Sequence, residues 1–289
     1  MKYLYYSGCS LEATALEYNR STRAVMAALG AELLDLEDWT CCGASAAEAT
    51  SYLLSLVLSA RNLAIGEKTL PNGDFLIPCS ACYLNLRRVE DHVQRDESLL
   101  SKINEALKEE DLQYRGKVRV RHLLEVLAQD FGPRAVRPLV KRNLTGLTVA
   151  PYYGCQALRP YGSYDDPEQP RSMEPLIRAT GADVLPWSMG GKCCGAALMT
   201  TKKEVALELT AGLLKGAQGA DCIATVCPMC QMNLEAYQRT ISKSRGEDLG
   251  ISIVYLPQLL GIAFGLSEDT LKLDLNLALT SAFRTKIAA

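Results

Sequence analysis

The sequence predicts an α/β fold of two homologous lobes, each built on a mostly parallel sheet. Three observations lead to this prediction. Short apolar runs typical of buried strands alternate with helical stretches, which is the pattern of parallel strands connected by helices. One arrangement of cysteines occurs in each half, and the residues around those cysteines repeat with it. The repeats indicate that one α/β unit has been duplicated.

The first half contains four short apolar runs that predict strands, at residues 2–6, 31–36, 74–78 and near 118–120. Helices are expected between and after them, at about 11–29, 47–65, a stretch with Cys82 on its first turn, 98–110 and 122–131. The helix over 11–29 is expected to end at Gly30, because glycine commonly follows the last residue of a helix. Each of the first three strands leads to a turn that carries cysteine.

The second half repeats this order. Residues 147–151 correspond to 2–6, residues 222–226 correspond to 74–78, and 251–265 corresponds to 118–132. We expect two domains, residues 1–140 and residues 141–289, the second with a C-terminal extension. We also expect Rossmann-like lobes related by a pseudo-twofold axis. In such sheets the carboxyl ends of the strands gather ligands, so the cysteine turns of each lobe should converge.

Ten of the eleven cysteines form two matched sets of five. Each set has a single cysteine, then a Cys-Cys-Gly turn, then a Cys-x-x-Cys pair. The first set is Cys9, Cys41, Cys42, Cys79 and Cys82, and the second is Cys155, Cys193, Cys194, Cys227 and Cys230. In each set Gly43 or Gly195 follows the adjacent cysteines, and we expect it to bring the backbone close to the site or to adopt a positive φ.

Five thiols in a set restrict the possible chemistry. A disulfide framework is disfavoured because five is odd and because the adjacent Cys41 and Cys42 make a poor disulfide. Structural zinc takes four ligands, which would leave one thiolate over in each set. An iron–sulfur cluster has several irons and can use five thiolates, so the count favours iron–sulfur over zinc. Amide groups in the first helical turns after Cys79 and Cys227 are expected to point at this site.

The two sets closely resemble the paired cysteine-rich CCG domains of the B subunit of heterodisulfide reductase and its relatives. The resemblance covers residues 2 to about 266, and no cysteine of either set is missing. It implies two non-cubane [4Fe–4S] clusters, with all ten cysteines as cofactor and metal ligands, that together cleave a disulfide reductively. In methanogens that disulfide joins coenzyme M and coenzyme B. The resemblance also implies two partner proteins, of which one is ferredoxin-like with iron–sulfur clusters (the C subunit) and the other carries flavin (the A subunit).

Composition excludes several other classes of protein. The formal net charge of −2 gives no basic excess for binding nucleic acid. The amino end does not have the form of a signal peptide, and no apolar run is long enough to cross a bilayer, so we expect a cytoplasmic protein. The chain has neither a G-x-G-x-x-G motif nor a ferredoxin-type cysteine run. We therefore expect no flavin, NAD or haem on this chain, and electrons that come from other subunits.

Several residues near the cysteines have weaker signals. Cys222 lies within a strand pattern and is expected to be a small buried apolar residue. Trp39 and Trp187 precede the Cys-Cys-Gly turns, where core packing is the simpler interpretation and contact with the cluster the alternative. Asn85 and Asn233 each follow the last cysteine by three residues and would bind either cluster sulfide or a local turn.

Several charged or titratable residues are also candidates for a functional role. Lys192 is the only charge next to a Cys-Cys pair, and it is a possible substrate contact, although solvated lysines are commoner. His92 and His122 are expected to be surface or core residues and not catalytic acids. A basic run near the lobe junction would dock a partner or form a solvated linker, and comprises Arg134, Arg137, Lys141 and Arg142.

Residues 268–289 extend beyond the second lobe. Leucines at alternate positions from Leu271 to Leu279 predict an amphipathic strand. Such a strand would join a partner protein or pack back on its own lobe.

Three functions are compatible with these features. The first is a catalytic iron–sulfur subunit that reduces, or reversibly forms, a disulfide or related sulfur compound. Splitting a disulfide takes two electrons, and two one-electron clusters would meet that need. The second is an electron-transfer subunit that links a dehydrogenase to quinone, in which the tail would contact a membrane. The third is a zinc-stabilised scaffold, which the five-cysteine count disfavours.

Overall fold

The computed structural model describes residues 1–44, 46–162 and 164–288, and its core is a pair of four-stranded parallel sheets. The first sheet has the order β2-β1-β3-β4 and contains β1 (Lys2–Tyr5), β2 (Glu32–Asp35), β3 (Asp74–Ile77) and β4 (Arg119–His122). The second has the order β6-β5-β7-β8 and contains β5 (Thr148–Tyr152), β6 (Asp183–Val184), β7 (Cys222–Thr225) and β8 (Ser252–Tyr255). The identical strand order confirms the predicted duplicated α/β fold.

Helices connect the strands in both lobes. Those of the first lobe are α1 (Gly8–Glu12), α2 (Leu16–Ala28), α3 (Ala46–Thr50), α4 (Tyr52–Thr69), α5 (Ser80–Arg95), α6 (Glu97–Leu107), α7 (Leu123–Val126) and α8 (Gly132–Val136), with a π-helical turn at Leu127–Phe131. Those of the second are α9 (Glu174–Ala179), α10 (Lys203–Gly216), α11 (Pro228–Ala236), α12 (Gln238–Arg245), α13 (Leu256–Ala263), α14 (Glu268–Leu271) and α15 (Ser281–Ala288). The helix predicted over 11–29 is interrupted at residues 13–15, so the first cysteine lies on a helix of its own.

The central strand of each sheet follows from its composition. In β1, Leu4 pairs in register with Leu34 of β2 and Phe75 of β3, and Leu4 and Phe75 are completely buried. Strands of a parallel sheet covered on both faces are apolar throughout, which explains why β1 and β7 contain so few charged residues. This arrangement places the carboxyl ends of three neighbouring strands side by side in each lobe.

Helices of the two lobes pack against each other across the junction. Helix α2 of the first lobe packs against α13 of the second, and α9 of the second lobe packs against α8 of the first. Each contact joins the helix that follows a lobe's first strand to a helix beyond the other lobe's last strand, as expected for a pseudo-twofold relationship. The predicted boundary between residues 140 and 141 stays a prediction, within the segment that connects β4 to β5.

The strand predicted for the C-terminal extension is wrong. Ser267 caps a helical turn by accepting a hydrogen bond from the Thr270 backbone, and Lys272 ends that turn with a φ of 51°. A 3₁₀ turn follows at Leu273–Leu275. The alternating leucines are therefore divided between turns and a short extended stretch, and a Ser-Glu-Asp helix start at 267–269 was a competing signal.

The extension packs on its own lobe, which is one of the two expected outcomes. The backbone N–H of Ile253 in β8 donates to the carbonyl of Ala278 at 3.0 Å, so the extended stretch lies beside the edge strand. Leu271 and Phe283 are completely buried, whereas Leu277 is 72% exposed. The extension therefore covers the β8 edge and contributes to the core of the second lobe.

The basic run near the lobe junction is exposed to solvent. Arg134, Arg137, Lys141 and Arg142 lie on the surface, and Arg142 donates a hydrogen bond to the Ile287 carbonyl of the C-terminal extension. These positions agree with the expected solvated linker. Across the described part of the chain, no helix combines the length and the apolar composition needed to cross a bilayer.

Candidate metal centres

The five cysteines of the first set meet at the carboxyl ends of β1, β2 and β3. Cys9 follows β1, Cys41 and Cys42 follow β2, and Cys79 and Cys82 begin α5 after β3. The Sγ atoms of Cys9 and Cys41 lie 3.7 Å apart. Those of Cys42 and Cys82 lie 3.5 Å apart. Because these strands are neighbours in the sheet, the convergence predicted from their ends is present in the structure.

The second set has the same arrangement in the second lobe. The Sγ atoms of Cys194 and Cys230 lie 3.5 Å apart, as do their counterparts in the first lobe. In each lobe three cysteines are buried and two lie toward solvent. The buried thiols are Cys42, Cys79, Cys82, Cys194, Cys227 and Cys230, and the more accessible ones are Cys9, Cys41, Cys155 and Cys193. In the described ranges, no three Cys, His, Asp or Glu side chains are placed to hold a single metal ion.

Neighbouring thiols and amides favour thiolate at one or more positions of each set. Hydrogen bonds with Cys41 and Cys82 hold the pKa of Cys42 well below its usual range. A hydrogen bond with Cys155 lowers the pKa of Cys193 to about 6, and a hydrogen bond with Cys230 lowers the pKa of Cys227 to about 7. The same thiol–thiol hydrogen bonds raise the pKa of Cys41, Cys82, Cys155 and Cys230, so thiolate, the form that binds metal, is favoured at only some positions of each set.

Helix N-termini face each set. Cys79 is the N-cap residue of α5, and Cys227 is the N-cap residue of α11. The backbone N–H groups at Cys230 and Met229 help to lower the pKa of Cys227. At the start of α11, the expected amide groups are therefore in position to stabilise negative sulfur.

Glycines allow the close approach of the segments. Gly43 and Gly195 have φ values of 80° and 79°, which confirms the expected positive φ after each Cys-Cys pair. Gly8 and Gly154 were not singled out from the sequence. A Cβ atom at Gly8 would lie 2.9 Å from the Cys82 Sγ, and one at Gly154 would lie 3.1 Å from the Cys230 Sγ. The repeated Gly-Cys pair in both halves was the signal that could have identified them.

The two asparagines brace the Cys-Cys-Gly turns. The Asn85 side-chain amide donates to the carbonyls of Cys42 and Ala44, at 3.2 and 3.0 Å. The Asn233 amide donates to the carbonyl of Cys194 at 2.7 Å. Both asparagines are buried. Of the two expected roles, the structure shows the one in which asparagine closes the local turn.

Aromatic residues support the same turns from the strand side. The hydroxyl of Tyr6 donates to the Thr40 carbonyl at 2.8 Å, and that of Tyr152 donates to the Lys192 carbonyl at 2.8 Å. Trp39 packs edge-on against Tyr6, and Trp187 packs in the same way against Tyr152. The tryptophans therefore pack on the tyrosines that brace the turns, in agreement with the simpler expectation of core packing.

The lobe junction lies directly behind the two sets. The hydroxyl of Tyr18 donates to the carbonyls of Pro78 and Val226, at 3.0 and 3.1 Å. These carbonyls belong to the residues just before Cys79 and Cys227, so one side chain connects the two cysteine-bearing strand ends. The sequence did not predict this contact, because it depends on how the lobes pack.

Three further candidate residues from the sequence are Cys222, Lys192 and His92. Cys222 is completely buried in β7, as expected, and burial raises the pKa of its thiol. Lys192 is exposed beside Cys193. His92 is partly buried and lies between the hydroxyls of Tyr52 and Tyr161, at 2.8 and 3.0 Å.

The donor set fits an iron–sulfur cluster. Each lobe offers five thiols on three converging segments, with buried thiols on one side and accessible ones on the other. All-sulfur ligation suits iron–sulfur clusters or zinc, and a fifth thiol exceeds the four positions of a zinc site.

Comparison with known proteins finds one matching family and several relatives that are similar over almost the whole chain. The family described as "Cysteine-rich domain" (CCG) matches residues 3–87 and 149–235. The 8-methylmenaquinol:fumarate reductase membrane anchor subunit of Wolinella succinogenes is 34% identical, over 95% of this chain and 96% of its own. The B subunit of the ferredoxin:CoB-CoM heterodisulfide reductase of Methanosarcina mazei is 28% identical, over 98% of this chain and 95% of its own. A protein of Archaeoglobus profundus, named as similar to the heterodisulfide reductase B subunit, is 28% identical, over 93% and 92%.

A solved structure shares the fold. The crystal structure of a hypothetical protein from Helicobacter pylori superimposes with a TM-score of 0.78 at 17% sequence identity. The match covers 97% of this chain and 52% of the other, so this chain spans about half the length of that protein.

Proposed function

The chain belongs to the cysteine-rich CCG domain family, with one domain in each lobe, and from this premise we propose that it is the catalytic iron–sulfur subunit of a heterodisulfide reductase-like complex. The observation that carries the proposal is that two complete sets of five cysteines converge on either side of one junction. The proposed ligands of two non-cubane [4Fe–4S] clusters are Cys9, Cys41, Cys42, Cys79, Cys82, Cys155, Cys193, Cys194, Cys227 and Cys230. Such a pair of clusters would supply two electrons, one at a time.

The proposed reaction is the reduction of a disulfide, or its reverse. Splitting a disulfide consumes two electrons and two protons and gives two thiols. In each lobe the accessible cysteines mark the side from which a sulfur substrate would approach: Cys9 and Cys41 in the first, Cys155 and Cys193 in the second. Exposed Lys192 lies on that side and is a proposed contact for an anionic substrate. The buried cysteines, the helix N-termini, and Asn85 and Asn233 form the opposite, buried side of each set.

A second function is favoured by one comparison. The relative at 34% identity is named as the membrane anchor subunit of an 8-methylmenaquinol:fumarate reductase. By analogy, this chain would pass electrons between a dehydrogenase, such as one for succinate or lactate, and a quinone. The same two cysteine sets would serve, with quinone in place of the disulfide.

The partners are proposed from the relatives. The heterodisulfide reductase relatives are subunits of multisubunit enzymes, and the name of the Methanosarcina mazei enzyme includes ferredoxin. We therefore include two further proteins in the proposed complex, a ferredoxin-like iron–sulfur subunit (C) and a flavin-containing subunit (A). The proposed location is the cytoplasm, where reducing conditions keep thiols available for metal.

Two parallel assays test the proposal. Protein purified without oxygen would be reduced with a low-potential dye and offered either a small organic disulfide or a water-soluble quinone. We expect the disulfide to be cleaved to two thiols, and this activity to be lost in Cys155→Ala. The matched control is Cys222→Ala, which removes a cysteine outside both sets and should keep the activity. Quinone reduction without disulfide cleavage would favour the second function and contradict the first.

A further inference from the structure

The second cysteine set has a fixed cation, Arg159, at a position that is uncharged in the first set. Arg159 lies four residues after Cys155, and its backbone N–H donates to the Cys155 carbonyl at 3.0 Å. Its guanidinium donates to the carbonyls of Gly191 and Pro167, each at 2.6 Å. Gly191 precedes Cys193 by two residues. The positive charge is therefore held between the two segments that carry the accessible cysteines of this lobe.

The charge on Arg159 is only partly compensated. Glu168 lies 3.1 Å from the guanidinium, but its side chain is 70% exposed, so water screens the interaction. Lys192 adds a second cation immediately before Cys193.

The corresponding positions of the first lobe are uncharged. Ala13 follows Cys9 by four residues, as Arg159 follows Cys155. Thr40 accepts the hydrogen bond of Tyr6 as Lys192 accepts that of Tyr152, so Thr40 and Lys192 are equivalent. The lobes therefore differ in charge at two equivalent positions next to otherwise identical cysteine sets.

The hydroxyl of Ser80, at the junction between the lobes, is a further difference between the two cysteine sets. Ser80 follows Cys79 in the first lobe, yet its Oγ lies 3.2 Å from the Val226 carbonyl of the second lobe and 3.2 Å from Nε2 of His122. The Leu124 N–H donates to Nδ1 of His122 at 3.1 Å, so the ring proton of neutral His122 is on Nε2 and faces Ser80. The Ser80 proton is then free to be donated across the junction.

That donation reaches the carbonyl of Val226, the residue immediately before Cys227 of the second set. The residue equivalent to Ser80 in the second lobe is Pro228, which has no donor to return. Ser80 and His122 are buried at 1% and 0% exposure, so water does not replace this contact.

Cations and hydrogen-bond donors raise the reduction potential of an iron–sulfur centre, because the reduced form carries more negative charge. We propose that the centre held by the second set has the higher reduction potential and receives the first electron, with Arg159 and Ser80 as its positioning residues. This inference rests on the proposed pair of clusters and adds the order in which the two clusters accept electrons. The first-lobe centre is then the weaker acceptor and is reduced second.

The test is a reductive titration of the anaerobic protein, followed by electron paramagnetic resonance. Cys9→Ala and Cys155→Ala, each lacking one ligand, assign the signals to the lobes. We expect the signal that appears at the higher potential to be the one changed in Cys155→Ala. Equal potentials, or an upper signal changed in Cys9→Ala instead, would overturn the inference while leaving the proposed function intact. A protein with no cluster would overturn both.

Variants then test the named residues. In Arg159→Ala the upper potential should fall, with about a tenfold change in the one-electron equilibrium, or about 59 mV, while the lower potential stays constant. Arg159→Lys should retain most of the difference, and the exposed Arg178→Ala is the control on the same lobe. Ser80→Ala should move the upper potential in the same direction as Arg159→Ala. An upper potential unchanged in both Arg159→Ala and Ser80→Ala would show that neither residue sets it.

Discussion

The ring of Tyr18 lies flat on the ring of Tyr255, with centroids 4.0 Å apart and planes inclined by 4°. Tyr18 belongs to the first lobe and Tyr255 is the last residue of β8 in the second. The equivalent pair with the lobes exchanged is Tyr164 and His122, whose rings are parallel within 2°. The two stacked pairs relate the lobes as a pseudo-twofold arrangement requires, and they lie behind the two cysteine sets.

Replacing Tyr18 with phenylalanine should weaken this junction. The variant keeps the stacked ring but loses the hydroxyl that donates to Pro78 and Val226. A lost buried hydrogen bond costs about 1–3 kcal/mol when its partner is left unsatisfied. We expect a fall of that size in the free energy of unfolding, measured with denaturant. The partly buried Tyr237→Phe is the control, and equal stability of the two variants would contradict the role of the Tyr18 hydroxyl.

Gly8 should be required for metal binding by the first cysteine set as well as for the local backbone conformation. Gly8 and Gly116 have φ values of 69° and 70°, so Gly8→Ala and Gly116→Ala carry the same backbone strain of about 1–2 kcal/mol. Of the two variants, only Gly8→Ala would bring its added Cβ close to a thiol, the Cys82 Sγ at 2.9 Å. A Cβ added at Gly116 would meet no atom within 4 Å. We expect Gly8→Ala to lose about half of the bound iron and Gly116→Ala to keep it. Similar iron content in the two variants would contradict this explanation.

Asn85 should matter for metal binding beyond its contribution to stability. Its amide bonds to two carbonyls of the first Cys-Cys-Gly turn, and Asn104 likewise makes two hydrogen bonds to the backbone of Tyr114, in another part of the lobe. Asn85→Ala and Asn104→Ala should each destabilise the fold by about 1–3 kcal/mol. Iron bound per folded chain should fall in Asn85→Ala alone. If both variants bind iron equally, the turn does not need this brace.

Glu235 should make stability depend on pH. Burial raises the pKa of this carboxyl to about 7 from an ordinary value of 4.5. Its folded-state pKa therefore exceeds the unfolded one, so its favourable contribution is complete below pH 4.5 and is lost as the pH rises through 7. Glu235→Gln cannot ionise and should be more stable than the parent at pH 8 by up to about 3 kcal/mol, at about 1.4 kcal/mol per pKa unit. The difference should disappear near pH 4.

The control for that pH series is the exposed Glu204→Gln, for which the parent and variant curves should run parallel. Denaturant unfolding at several pH values measures both variants. A Glu235→Gln curve that remains parallel to the parent would contradict the raised pKa.

The cysteine convergence was predictable because it follows from local patterns. Apolar runs before Cys9, Cys41 and Cys79 predict strands, and adjacent parallel strands bring their carboxyl ends together. The positive φ at Gly43 follows equally from the residue type and the tight turn. These features need only residues that are close in sequence, together with a standard sheet.

The junction could not be predicted in the same way. Tyr18 meets Val226 over a separation of 208 residues, and Ser80 meets the same carbonyl over 146. Such contacts depend on how two lobes dock, which no local pattern encodes. The wrong strand in the C-terminal extension has a different origin, because alternating leucines suit either a strand or successive turns, and the capping residue Ser267 decides between them.

The most direct test of the central claim is the iron, zinc and acid-labile sulfide content of protein purified without oxygen. Two four-iron clusters on the ten cysteines predict about eight irons and a comparable amount of sulfide per chain. Zinc near two per chain with no sulfide would contradict the redox function and leave a structural scaffold.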